Sequence, residues 1–155
     1  MDFFRHSIVK SETKYLEGVK YDDTTPFVPP IKTGKVIKVY DGDTITIAGK
    51  MPWPESPIYR FSVRINGIDC PEIRGKCESE KKCAVLARNH VDNLVNGKIV
   101  RLENVSLEKY GRILADVYVE NVHVGNNLIE KRLAVSYAGG KKQSPDNWLE
   151  YFIGE

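Results

Sequence analysis

From Glu78 to Val95 the apolar residues Cys83, Ala84, Ala87, Val91, Leu94 and Val95 recur at helical spacing. Glu78 and Glu80 suit the positive end of a helix dipole, Ser79 is the expected N-cap, and Asn96-Gly97 is a stop signal. The runs around this helix have a different period. Lys35 to Tyr40, Thr44 to Ile47 and Ile58 to Ile65 precede it and read as β-branched or alternating strands. Ile99 to Glu103 and Ile113 to Val119 follow it in the same way. Glu120-Asn121 reads as a short reversal, Gly125 to Leu133 as a second helix, and Ser144-Pro145-Asp146 as the start of a third. In that third helix Ser144 is the expected cap, Pro145 takes the first helical position, and Trp148, Leu149 and Phe152 form the packing face. Three strands, a helix, two strands and a closing helix match an α+β architecture built on a five-stranded Greek-key OB barrel.

The chain has 155 residues, a one-domain length that buries roughly 68–70% of its unfolded surface. Residues 1–32 read as an N-terminal arm, ending in Pro26-Phe27-Val28-Pro29-Pro30, where proline favours extended chain. The arm is expected to lie over the barrel, to trail as a partly mobile tail, or to join a partner, a homo-oligomer included. Residues 33–155 form the expected domain. The net charge of +2 comes from 23 basic and 21 acidic residues, so any field that attracts nucleic acid must arise from local placement. No apolar run approaches a membrane span, and no membrane partner is expected. The first residues lack the basic-then-apolar layout of a secretory signal, and an intracellular or particle-associated location is expected. Cys70, Cys77 and Cys83 are odd in number and read as reduced thiols; a Cys77–Cys83 bridge is the alternative if the intervening loop bends. His6, His90 and His123 are scattered, and none has ligand or base spacing.

The chemistry gathers in three short segments. Tyr40-Asp41-Gly42-Asp43-Thr44 places two carboxylates around a glycine at a strand end. Arg64-Ile65-Asn66-Gly67-Ile68-Asp69-Cys70-Pro71-Glu72 places an arginine, an aspartate and a glutamate at the end of another strand. Lys109-Tyr110-Gly111-Arg112 delivers a second arginine on a turn. Carboxylates at strand ends suit a hard cation, and a planar guanidinium suits a phosphate. Asp41 reads as turn-forming or as support behind Asp43.

In this order the three segments resemble the staphylococcal nuclease family, with its DGDT turn, its R-x(4)-DxPE segment and its KYGR turn. The resemblance implies an OB barrel that hydrolyses phosphodiester bonds of DNA, with RNA left open as a further substrate, leaving 3′-phosphates. It implies calcium as cofactor, held by Asp43, Asp69, the backbone carbonyl of Cys70 and waters. The best-known relative has threonine where Cys70 stands, and a thiol turned toward the ion would admit softer metals. Arg64 and Arg112 become the donors that stabilise the transition state, and Glu72 activates or orients the attacking water. Lys109, Tyr110 and Tyr137 become substrate contacts; Tyr137 lies near a second family tyrosine at an offset spacing. Lys141 and Lys142 are further basic residues able to meet a nucleic-acid backbone. The competing reading is a non-catalytic OB module that binds nucleic acid or protein. Retention of Asp43, Asp69, Arg64, Glu72 and Arg112 argues against it.

Overall fold

The computed structural model describes residues 10–154. Five strands form the barrel: β1 (Thr33–Asp41), β2 (Thr44–Lys50), β3 (Ile58–Ile65), β5 (Ile99–Leu107) and β6 (Ile113–Val119). Three two-residue strands complete the set: β4 (Ile68–Asp69), β7 (Val122–His123) and β8 (Val135–Ser136). The sheet runs β3-β2-β1-β5-β6-β7, and a further β3–β6 pairing closes it. That closing pair is parallel, with Val63 opposite Ile113, Arg64 opposite Leu114 and Ile65 opposite Ala115; its neighbours are antiparallel. The expected OB barrel is therefore the observed fold.

Strand period and burial agree. Along β6, Ile113, Ala115, Val117 and Val119 are buried and alternate with half-exposed residues. They meet Val36, Ile45, Ile47, Val63, Ile65, Val100 and Leu102 in one core. Helix α1 (Glu78–Val95) covers one side of that core with Ala87, Val91 and Val95. Leu94 only packs at its edge. Asn96 ends the helix, and Gly97 takes the left-handed backbone (φ 75°) beyond it.

The element ends depart from expectation in three places. The N-cap of α1 is Cys77, not Ser79, and no side chain caps it. Ser79 instead lies 3.2 Å from the Cys77 sulfur. Helix α2 (Val124–Glu130) is shorter than Gly125 to Leu133, because Arg132 turns into the left-handed region (φ 56°). Helix α3 (Trp148–Ile153) starts later than Ser144-Pro145, because Asn147 accepts from the backbone N–H of Leu149 and Glu150 and so fixes the start. Trp148 is buried and Phe152 packs against the core, but Leu149 is exposed. β5 runs past Glu103 to Leu107 through an irregularity at Asn104 (φ 51°).

In the arm, Ile31 is 3% exposed within the core, and Lys32 O accepts from Leu102 N at 2.7 Å. Tyr15, Leu16, Val19, Tyr21 and Phe27 are exposed. Residues 1–9 of the arm, His6 among them, lie outside the described residues. All three cysteines are free thiols, Cys70 and Cys83 buried and Cys77 exposed. No helix among the described residues is long and apolar enough to cross a membrane.

Candidate active site

Sheet register builds the site. Asp41 pairs with Thr44, Thr44 with Arg64, and Arg64 with Leu114. This row crosses β1, β2, β3 and β6 at one end of the barrel. Two residues before Leu114 stands Arg112, at the end of the β5–β6 turn. Barrel closure thus sets two arginines, far apart in sequence, beside the Asp-Gly-Asp turn.

The turn itself is tight. Asp41 Oδ1 accepts from the backbone N–H of Asp43 at 3.2 Å. A Cβ on Gly42 would stand 2.8 Å from Cys70 Sγ and 2.9 Å from Ala87 Cβ, so only glycine lets the turn lie this close to α1. The Cys70 thiol therefore faces the turn glycine and α1. Burial pushes it well above its ordinary pKa, and Asp43, Asp41 and Asp69 push it further against the opposing Arg64.

Asp43 Oδ1 accepts from Thr44 Oγ1 at 3.0 Å, and Arg64 Nη2 donates to Oδ2 at 3.4 Å. Arg64 is 12% exposed. It also donates to the carbonyls of Ile68 (3.0 Å) and Ile65 (3.3 Å), which lock it across the β3–β4 bend. Asp69 is 2% exposed, pinned by the β4–β8 pair, where it faces Val135. Ser144 Oγ donates to its Oδ2 at 3.3 Å. Its Oδ1 makes no directional hydrogen bond, although Lys142 Nζ at 3.2 Å and Arg64 Nη2 at 3.7 Å face it as ion pairs. Burial, and after it the neighbouring Asp43, push the Asp41 carboxyl up to about 7.

Arg112 Nη1 donates to Thr44 Oγ1 at 3.3 Å. Glu108 holds it from behind, accepting from the Arg112 and Tyr110 backbone N–H groups at 2.9 and 3.0 Å and from Arg112 Nη2 at 3.4 Å. Burial works against the Glu108 charge, but these Arg112 contacts bring its pKa below the ordinary value. Glu72 is 60% exposed. Its backbone N–H donates to Glu80 Oε1 at 3.2 Å, and its Oε1 accepts from Lys142 Nζ at 2.8 Å. Burial works against the Lys142 charge, but Glu72 and Asp69 outweigh it and raise its pKa to about 12.

Asp43, Arg64, Glu72 and Arg112 line one cavity of about 690 Å³, together with Lys109, Tyr110, Tyr137 and Lys142. Cys70 also lines it, while Asp69 sits beneath the wall. Tyr110 is 74% exposed, with Lys109 Nζ 4.9 Å from its ring. The Tyr137 ring lies 5.4 Å from the Arg64 guanidinium. Lys141 falls outside this cavity, in a shallower neighbouring groove that shares Tyr137. His90 meets Asn127 at 2.6 Å, and His123 accepts from Asn126 N at the start of α2, so both are structural.

Three contributors escape a reading by motif, Glu80, Glu108 and Ser144, and Thr44 stood in the Asp-Gly-Asp-Thr turn without a role of its own. Glu108 had a signal, since it stands four residues before Arg112 across a glycine turn. Ser144 had none, because its contact with Asp69 spans 75 residues.

A family model described as staphylococcal nuclease homologue matches residues 62–151, more than half of the chain. The match begins inside β3, so Asp43 enters the site from outside it, through the β2–β3 register. A probable endonuclease of Schizosaccharomyces pombe is 28% identical over 138 residues, 80% of this chain and 60% of that protein. An uncharacterized endonuclease of Haemophilus influenzae is 29% identical over 105 residues, 68% of this chain and 52% of that protein. A probable staphylococcal-like nuclease of Oryza sativa subsp. japonica is 30% identical over 78 residues, 50% of this chain and 22% of that protein. The chain thus spans 60% or less of the length of these relatives. By fold, by the ordered motifs at the barrel end and by this match, the chain belongs to the staphylococcal nuclease homologue family.

Proposed function

We propose that this chain is a calcium-dependent phosphodiesterase that cuts DNA or RNA within the strand and leaves 3′-phosphates. One observation carries the reading: a single cavity brings Arg64 of β3 and Arg112 of the β5–β6 turn onto the same space as Asp43 and Glu72, with Asp69 directly behind. Nuclease relatives support it.

The acids fit a divalent cation. Among the described residues Asp69 Oδ1 is buried and faced only by the cations Lys142 and Arg64, and burial, with Asp43 second, raises the pKa of the neighbouring Asp41. Among the described residues no three His, Cys, Asp or Glu side chains are grouped to hold a metal. Asp43 and Asp69 would therefore be joined by the Cys70 carbonyl and by water, an oxygen-rich set that suits calcium and leaves room for a phosphate. Calcium, when bound, supplies Lewis-acid polarisation of the phosphoryl oxygens.

The side chains of the chain do the rest. A phosphodiester resists attack because negative charge builds on an already anionic centre. Arg64, held by two carbonyls, presents its remaining N–H groups without reorganising as that charge develops. Arg112, braced by Glu108, does so from the β5–β6 turn. Glu72 is exposed enough to meet water and accepts the proton, or aligns the lone pair, of the attacking molecule. Tyr110 and Lys109 offer a ring and a cation to an unpaired base and its phosphate, which favours single-stranded or opened substrate.

The test is cleavage of plasmid, single-stranded DNA and RNA across divalent metals, with chelator and Glu72→Gln as controls. Calcium-dependent cutting that stops with chelator and is lost in Glu72→Gln is the expected result. Arg64→Ala should lower turnover by about 10²–10³-fold with the fold intact. A loss of under a few-fold refutes its role. Binding without cutting by the wild type would leave the non-catalytic module as the reading.

A further inference from the structure

We propose that Lys142 is a positioning residue for Glu72, its ammonium bridging Glu72 Oε1 (2.8 Å) and Asp69 Oδ1 (3.2 Å) so that the exposed carboxylate is turned toward the buried one. The inference rests on the phosphodiesterase reading and adds a residue to it.

Glu72 follows Pro71 on an open loop and is 60% exposed, so its side chain has several rotamers to choose from. Its backbone is tied by Glu80, but that contact leaves the carboxylate free to swing. Lys142 is what meets the carboxylate, and Lys142 is itself anchored. Asp69, its second partner, is 2% exposed and fixed by strand pairing. The segment that carries Lys142 is fastened at both ends. Upstream, Tyr137 N donates to Gly67 O and Tyr137 OH donates to Gly140 O, each at 2.9 Å. Downstream, Ser144 Oγ donates to Asp69 at 3.3 Å. Gly139 and Gly140 both take left-handed backbone (φ 91° and 80°), which lets the chain reverse between these ties and bring Lys142 back across the cavity. A lysine that served only to attract a nucleic-acid backbone would need neither of its two carboxylate contacts nor a fastened segment.

The two roles separate in kinetics. Lys142→Met removes the charge and keeps most of the stem. If Lys142 positions Glu72, kcat falls by about 10–100-fold, while KM stays within about twofold. Lys142→Arg, which restores a cation, recovers most of the loss. Adding Lys142→Met to Glu72→Gln costs nothing further, because the group it positions is already disabled. A raised KM with unchanged kcat overturns the proposal, as does an equal loss in the Glu72→Gln background. Thermal unfolding in chelator gives a readout independent of cutting: the Tm changes of Lys142→Met and Glu72→Gln should be non-additive. Additive changes overturn the contact. Should the wild type cut no substrate, the functional reading fails, and the thermal cycle still decides whether Lys142 holds Glu72.

Discussion

Arg112 reaches the cavity with its Nε buried and without a directional hydrogen bond, so its aim depends on Glu108. The Glu108 carboxylate bonds two backbone N–H groups of the β5–β6 turn as well as the guanidinium, and thereby sets turn and arginine together. Glu108→Ala should lower kcat on the order of 10²-fold through displacement of Arg112. Glu108→Gln keeps a carbonyl for the backbone donors and should lose less. Steady-state kinetics with circular dichroism as a fold control would show it; equal losses would mean that charge, not position, matters. At the other wall Asp41 makes a prediction about pH. Its folded pKa is raised from 3.8 to about 7, by burial first and by Asp43 second. Between those values the folded state holds a proton that the unfolded state has released. Stability from this group is therefore complete below pH 3.8 and is lost as pH rises through about 7. In chelator, the Tm of wild type relative to Asp41→Asn should fall from pH 4 towards 7 and level off above it. Parallel melting curves across that range would refute the shift.

Helix α3 illustrates how a start signal can be read correctly in kind and wrongly in place. Ser144-Pro145 has the composition of a helix start, but Asn147 caps the helix through two backbone N–H groups. Ser144 is used elsewhere, on Asp69. Asn147→Ala should therefore cost about 1 kcal/mol of stability with little effect on the site. Ser144→Ala should leave the helix intact and loosen the loop over Asp69. Denaturant unfolding and backbone amide exchange in α3 distinguish the two; a larger exchange effect from Ser144→Ala would overturn the assignment. Strand β6 and helix α1 were legible to the residue, because period and burial coincide along each, and β3 was legible from its β-branched run although only Val63 and Ile65 in it are buried. The caps were not, because serine, cysteine and asparagine compete locally and tertiary contacts choose among them.

The molecule as a whole is a barrel whose closing pair is parallel, and that closure forms the cavity. The arm joins it through Ile31 and Lys32, immediately before β1 begins at Thr33. Ile31 packs over Gly49, where an added Cβ would come within 2.7 Å of its side chain. Ile31→Ala should cost about 2–5 kcal/mol, whereas removal of the residues before Pro29 should leave the barrel folded. Thermal melts of both variants would check this, and a barrel that fails to fold without residues 1–28 would make the arm part of the core. Local chain chemistry specified the strand runs, the long helix and the Asp-Gly-Asp turn, since each is written in neighbouring residues, whereas Asp43, Asp69, Arg64, Glu72 and Arg112 were singled out by the resemblance that three ordered motifs carry. The meeting of Arg64 with Arg112, the grip of Glu108, Ser144 on Asp69 and Lys142 between two carboxylates emerge only from strand register and loop closure. Such contacts join residues far apart along the chain, and no local period or motif encodes the distance between them.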